Sequence, residues 1–189
     1  MKDVSDKRVN ISLDNPSITF DKSKCDECGI CKNICKINVG VYGFSKDDYP
    51  CINCGSCTLA CPKKCLSEKD ETDKLEEYLH SNKVIVMQTA PAVRVSLGEE
   101  FGMKLGTNVE GKMITALRTI GADYVFDTTF GADLTVMEEA NELVNRIKTG
   151  KNLPMFTSCC PSWVKFCEMF YPECLDNLST CKSPISMMG

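Results

Sequence analysis

Only one histidine and one tryptophan occur among the 189 residues, and His80 falls in a charged segment where it reads as a surface residue. Basic residues are not in excess: Lys and Arg total 22 against 26 Asp and Glu, a net charge of −4. That balance lacks the positive footprint a nucleic-acid partner requires. Long apolar runs are missing as well; stretches such as Val84–Met87 fall far short of the roughly 20 residues that cross a bilayer. The N-terminal MKDVSDKRVN carries no apolar signal segment, so a cytoplasmic, thiol-reducing compartment is expected and a secreted disulfide scaffold is not. Cysteine, finally, is absent between Leu66 and Pro154.

Elsewhere cysteine is abundant. Of 14 in the chain, nine lie between Cys25 and Cys65 and five between Cys159 and Cys181, which implies two separate cysteine chemistries. A hydrophobic content of 43% with 25% charged residues is ordinary for a folded protein of one or two domains.

Residues 1–24 are polar, with a short alternating stretch at Val9–Ile11–Leu13 and then Ile18–Phe20, an edge strand or lead-in to which no function is assigned. Residues 25–66 are rich in Cys, Gly, Asn and Lys and cannot build an ordinary apolar core, so something else must hold them together. Residues 67–82 predict a linker helix with a Thr72-Asp73 start and Leu75/Leu79 spacing. From 83 to 189 strand and helix signals alternate: a strand in Lys83–Thr89, a helix over Gly111–Ile120, a strand at Asp123–Asp127, a helix over Leu134–Lys148, a strand at Leu153–Phe156 and a helix from Pro161 to Phe170. That order predicts a βαβ arrangement with a parallel sheet. It places the Cys159-Cys160 pair at a strand-to-helix turn, where open α/β sheets bind ligands.

The first cysteine group holds two copies of C-x2-C-x2-C-x3-C, at Cys25, Cys28, Cys31, Cys35 and at Cys51, Cys54, Cys57, Cys61. Three thiolates two residues apart can wrap one face of an iron–sulfur cube, while the fourth points to the other cube. The expected ligand sets therefore cross: Cys25, Cys28, Cys31 and Cys61 on one [4Fe–4S] cluster, Cys51, Cys54, Cys57 and Cys35 on the second. Gly29 and Gly55 let the loop backbone approach the inorganic sulfurs. Zinc is the rival, but zinc sites pair two C-x2-C knuckles and do not need four cysteines per copy. Lys36 stands where proline usually follows the fourth cysteine, and the Cys35–Cys51 connection is long. Cys65 is expected to be a packed or free thiol. In the second group, adjacent Cys159 and Cys160 cannot easily share one cluster because successive side chains diverge; one ligand and one free thiol are expected, with vicinal-thiol redox chemistry as the alternative.

The two-cluster run followed by Gln88-Thr-Ala-Pro-Ala-Val-Arg94, by Phe126-Asp-Thr-Thr-Phe-Gly-Ala132 and by Thr157-Ser-Cys-Cys-Pro-Ser-Trp163 resembles the iron-only, or [FeFe], hydrogenases over nearly the whole chain. The resemblance implies an α+β ferredoxin-like two-[4Fe–4S] domain followed by an α/β half-domain of the hydrogenase catalytic fold, the first lobe of the H-cluster domain. In that family the H-cluster is a cube bridged to a two-iron unit. Cys160 would ligate the cube and Cys159 would pass protons, with a route continuing through Glu139, Ser179, Glu142 and Arg146. Glu139, Glu142 and Arg146 share one helical stripe at i, i+3 and i+7, which suits such a ladder and equally a plain solvated face. Ala90, Pro91 and Ala92 would line the diiron pocket; without the resemblance they are only a turn. Trp163, Phe166 and Phe170 are expected as packing, and Cys167, Cys174 and Cys181 as spare thiols. Three cube ligands are expected from signatures beyond Gly189, so the chain alone is not expected to assemble an active centre. Its partners would be a ferredoxin or similar electron carrier and a missing C-terminal lobe. A non-catalytic ferredoxin-type electron-transfer protein is the second reading. The third, the hydrogenase-like proteins of cytosolic iron–sulfur assembly, resembles the chain less, because that pattern lacks the doubled cysteine run.

Overall fold

A computed structural model describes residues 8–42 and 50–189; the first residues of the lead-in and the middle of the Cys35–Cys51 connection lie outside the described residues. In chain order the elements are β1 (Ile18–Phe20), α1 (Ile30–Asn33), which runs into a π-helical turn at Ile34–Val39, α2 (Ser56–Ala60), β2 (Leu66–Glu68) and α3 (Thr72–Leu79). They continue with β3 (Val86–Thr89), α4 (Val93–Glu100), α5 (Glu110–Ile120), β4 (Tyr124–Asp127), α6 (Thr128–Thr149), α7 (Pro161–Phe170) and α8 (Pro184–Met188). Two compact units result, residues up to Asp70 with Ser162–Leu175, and Glu71–Pro161 with Asp176–Gly189. Ser162–Leu175 thus groups with the first unit and α3 with the second.

In the first unit β1 and β2 pair antiparallel, Ile18 opposite Glu68 and Phe20 opposite Leu66. β2 occupies the start of the segment expected to be a linker helix, and the helix begins only at Thr72. Val9 and Ile11 are not a strand; Val9 is buried in a core with Ile18, Cys31, Cys57 and Leu66, against which Cys35, Cys51 and Cys61 also pack. Thiols thus replace aliphatic side chains at the centre of this unit. Trp163, Phe166 and Phe170 of α7 join an aromatic group with Tyr42 and Tyr171, with ring centroids 5.0 to 6.3 Å apart.

In the second unit β3 and β4 run parallel, in register from Val86 opposite Tyr124 to Thr89 opposite Asp127. The carboxyl ends of both strands therefore lie side by side and feed α4 and α6. Asp127 caps α6 by accepting from the Thr129 N–H at 2.9 Å, so this helix starts six residues before the expected Leu134. The predicted third strand is reduced to one parallel bridge between Phe156 and Leu178; Pro154 has no N–H to donate to a ladder. α8 lies so close to α6 that a Cβ on Gly131 would collide with the Pro184 carbonyl oxygen and come within 3.1 Å of Met188 Cγ. The architecture is α+β with a parallel sheet.

Candidate functional site: two cysteine cradles and the Glu142 network

The loops carrying the two cysteine runs have the same backbone. Glu27 and Asn53, both immediately before the second cysteine of their run, take positive φ (56° and 59°), as do Gly29 and Gly55 (82° and 77°) just after it. Left-handed residues alternating with right-handed ones turn successive N–H groups toward one side, the arrangement that favours an anionic group. A Cβ on Gly55 would meet nothing within 4 Å; glycine is needed there for its φ and not for space.

The cysteines sort into two cradles. Cys25, Cys28, Cys31 and Cys61 line one, with Arg8 and Cys65. Cys35, Cys51, Cys54 and Cys57 line the other, with an apolar side of Val9, Ile11 and Ile18. Each cradle takes three cysteines from one run and the last cysteine of the other. Among the described residues no three His, Cys, Asp or Glu side chains converge as ligands of a single metal ion. Burial, reinforced by neighbouring thiols, pushes Cys35 and Cys57 up to about 12 and raises Cys31. A buried thiolate is unstable without a cation beside it. Cys65 is buried and its sulfur lies 3.2 Å from that of Cys61; burial raises the Cys61 thiol, but hydrogen bonds from the Leu66, Cys65 and Lys63 N–H groups and the Cys65 thiol together bring it below the ordinary thiol value.

In the second unit Glu142, Arg146 and Ser179 come together. Arg146, 8% exposed, donates to Glu142 Oε1 through Nε (3.1 Å) and Nη2 (2.6 Å), and to the carbonyls of Asn152, Asp176, Asn177 and Leu178 at 2.6 to 3.2 Å. Ser179 donates to Glu142 Oε2 at 2.8 Å, and the Thr180 N–H reaches the same oxygen at 3.0 Å. Burial alone would raise the Glu142 carboxyl; Ser179, Arg146 and Thr180 reverse this and hold it below the ordinary carboxylate value. Glu139 sits one turn earlier on α6 and its Oε1 is buried without a hydrogen-bond partner. Cys181, expected as a spare thiol, faces an open hollow with Glu138, Glu142 and Arg146; its N–H donates to Ser179 Oγ and its carbonyl accepts from Ser158, next to Cys159.

Cys159 and Cys160 are both exposed, in the turn before α7. Ala90, Pro91 and Ala92 form an exposed turn at the carboxyl end of β3 that opens α4, with the Ala92 carbonyl taking the N–H groups of Val95 and Ser96. Beside them Gln88 accepts from Thr128 and donates to the Ile185 carbonyl, both at 3.3 Å. Cys167 is fully buried, and His80 is exposed with its ring Nδ1 at the Glu76 carbonyl. Sequence reasoning missed Arg8, Asn15 and Cys181, none of which stands in a motif.

Residues 83–189, more than half of the chain, match the family described as iron only hydrogenase large subunit, C-terminal domain. The chain belongs to the iron-only hydrogenase family. Iron hydrogenase 1 of Clostridium pasteurianum is 43% identical over 202 residues, which cover 97% of this chain and 35% of that protein. The periplasmic [Fe] hydrogenase large subunit of Nitratidesulfovibrio vulgaris is 48% identical over 119 residues, covering 61% of this chain and 28% of its own length. A variant of the apo [FeFe]-hydrogenase HydA1 from Chlamydomonas reinhardtii superposes with a TM-score of 0.58 at 40% identity, over 61% of this chain and 31% of that one. The hydrogenase relatives are thus about three times the length that this chain spans. One of them is periplasmic by name, so membership of the family does not carry the expected cytoplasmic location. Among the described residues no helix is long and apolar enough to cross a membrane.

Proposed function

We propose that these residues form the electron-entry portion and part of the catalytic portion of an [FeFe]-hydrogenase, which in complete form reversibly reduces protons to H2 with electrons from a ferredoxin or similar carrier. The observation that carries this reading is the crossed sorting of eight cysteines into two cradles of four. Two [4Fe–4S] clusters fit it: each cradle offers four thiols and a loop with left-handed residues on either side of its second cysteine. Zinc fits less well, because it draws its four ligands to about 2.3 Å from a single point, and these thiols do not converge on one. The ferredoxin-type domain then spans residues 25–66, α3 lies in the linker, and the first catalytic lobe spans 83–189 in a cytoplasmic protein.

When bound, the H-cluster supplies the redox-active metal for proton reduction. Toward it this chain contributes Cys160 as one cube ligand, Cys159 as a thiol that hands on protons, and Ala90–Ala92 as pocket wall. The remaining cube ligands come from sequence outside these residues. The half-exposed faces of β3 and β4, with Val86, Tyr124 and Phe126 all more than 40% exposed, support a second lobe, since parallel sheets are ordinarily covered on both faces. Glu139, Ser179 and Glu142 carry protons to the hollow beside Cys181. Arg146, at the outer end of this route, fixes Glu142 through two hydrogen bonds to its Oε1.

Co-expression with hydrogenase maturation factors and a separately supplied second lobe is expected to give H2 evolution that is abolished by Cys159→Ala, with about eight irons retained in the relay clusters. Two relay clusters with no H2 under complementation would instead support the ferredoxin-type electron-transfer reading.

A further inference from the structure

The lead-in to which the sequence assigned no role contributes one buried polar side chain to each cradle. Arg8 is 6% exposed and lines the cradle of Cys25, Cys28, Cys31 and Cys61, with its guanidinium 4.2 Å from the centre of the Phe20 ring. The other charged residues on that cradle, Asp26, Glu27 and Lys63, are exposed, where water and salt screen them. Asn15, also 6% exposed, lies at the other cradle. Its Oδ1 is occupied by the N–H groups of Ser17 (3.0 Å) and Ile18 (2.8 Å). The amide nitrogen must therefore face the opposite way, where it donates to Asn53 Oδ1 at 2.9 Å and reaches Cys51 Sγ at 3.6 Å. The residues lining that cradle include no charged side chain.

Adding an electron makes an iron–sulfur cluster more negative. A buried cation, or a hydrogen-bond donor aimed at a ligand sulfur, stabilises the reduced form and raises the potential. We propose that Arg8 and Asn15 set the reduction potentials of the two clusters separately, Arg8 acting on the cluster of the first cradle and Asn15 on the cluster of the second. Both are positioning residues, neither being a ligand. The inference rests on the two-cluster reading above.

The test is an anaerobic redox titration of the full chain with both clusters loaded, followed by electron paramagnetic resonance. Arg8→Gln is expected to shift one couple negative by about a tenfold change in its reduction equilibrium, about 59 mV for one electron, and to move the other by less than half as much. Arg8→Lys restores most of that shift. Asn15→Ser keeps a hydroxyl to hold the turn but is too short to reach Cys51, and is expected to shift the other couple negative by a smaller amount. Should Arg8→Gln lose iron, Arg8→Met removes the same charge while leaving an aliphatic stem on Phe20, and the same shift is expected. With eight irons present, couples that stay at the parent potentials, or two variants that move the same couple, overturn the proposal. A parent chain that does not load eight irons overturns the two-cluster reading, and the proposal with it.

Discussion

Replacing Arg146 by Met should unfasten the segment that carries Ser179. The guanidinium is the only group that ties α6 to the carbonyls of Asp176, Asn177 and Leu178 among the hydrogen bonds described above, and it also neutralises Glu142. The two side chains are 10% and 17% exposed, so the ion pair is largely shielded from solvent. Removing one partner of a buried pair costs about 3–5 kcal/mol; with Glu142 still holding Ser179 and Thr180, the low end, about 3 kcal/mol, applies. For a unit of residues 71–161 and 176–189 that corresponds to a fall of roughly 12–24 °C in Tm. Glu142→Gln keeps an acceptor for Ser179 and leaves the carbonyl bonds of Arg146 intact, so it should lose roughly 1 kcal/mol. The measurement is thermal unfolding under anaerobic conditions, followed by far-ultraviolet circular dichroism, for the parent, both single variants and the double. An Arg146→Met chain that melts within about 2 °C of the parent would refute the reasoning, because the network would then be ornamental. Equal losses from the two single variants would refute the claim that the carbonyl bonds, and not the ion pair alone, hold the segment.

Three further outcomes follow from the same structure. Glu142 and Asp127 both titrate below their ordinary values, Asp127 chiefly through the Thr129 N–H; the unfolded chain then binds more protons in acid, so stability should fall as pH drops below about 4.5, and Glu142→Gln should flatten that limb in denaturant titrations. Metal-free protein should behave in the opposite sense in alkali. The Cys35 and Cys57 thiols, pushed up from 9.0 to about 12, keep their protons when folded and lose them when unfolded, so the first unit should lose stability as pH rises from about 9 toward 12, while iron-loaded protein should not; the check is a denaturant midpoint at each pH. Gly131→Ala should undock α8, since the new Cβ meets Pro184 backbone that cannot yield; limited proteolysis is expected to cut near Ser183 faster than in the parent.

Spacing pointed to two runs that exchange their last cysteines, the fourth lying four residues after the third instead of three, and the two cradles are lined in that crossed way. α5 and α7 were equally plain: a Met113–Ile114–Leu117 face for one, a proline start for the other. α4 was not. Val93, Arg94 and Val95 look like strand residues, and the helix is held at its end by tertiary contacts, Arg94 pairing with Asp127 at 2.8 Å and Glu110 at 3.3 Å. α6 was found but started late, since Thr128, Thr129 and Phe130 favour strands and only the Asp127 cap announces the helix. The strand expected at Leu153–Phe156 read correctly as apolar but ignored the donor missing at Pro154. Glu142, Arg146 and Ser179 were legible only through the family resemblance; helical spacing explained the first two, and nothing local pointed from α6 to a residue some forty positions away. Asn15 and Arg8 had no signal at all, being single polar residues whose importance comes from what they are buried against.

The thiol-filled centre of the first unit has a consequence for how the chain ages. Among the described residues, five of the ten in that core are cysteines, packed with Val9, Ile11, Ile18, Phe20 and Leu66. In an ordinary domain, oxidation damages the surface first and leaves the interior as the last refuge. Here each sulfinate or sulfonate formed would place a permanent charge among aliphatic side chains, so that air acts on this unit as a denaturant, and its lifetime is set by how well the cradles stay filled.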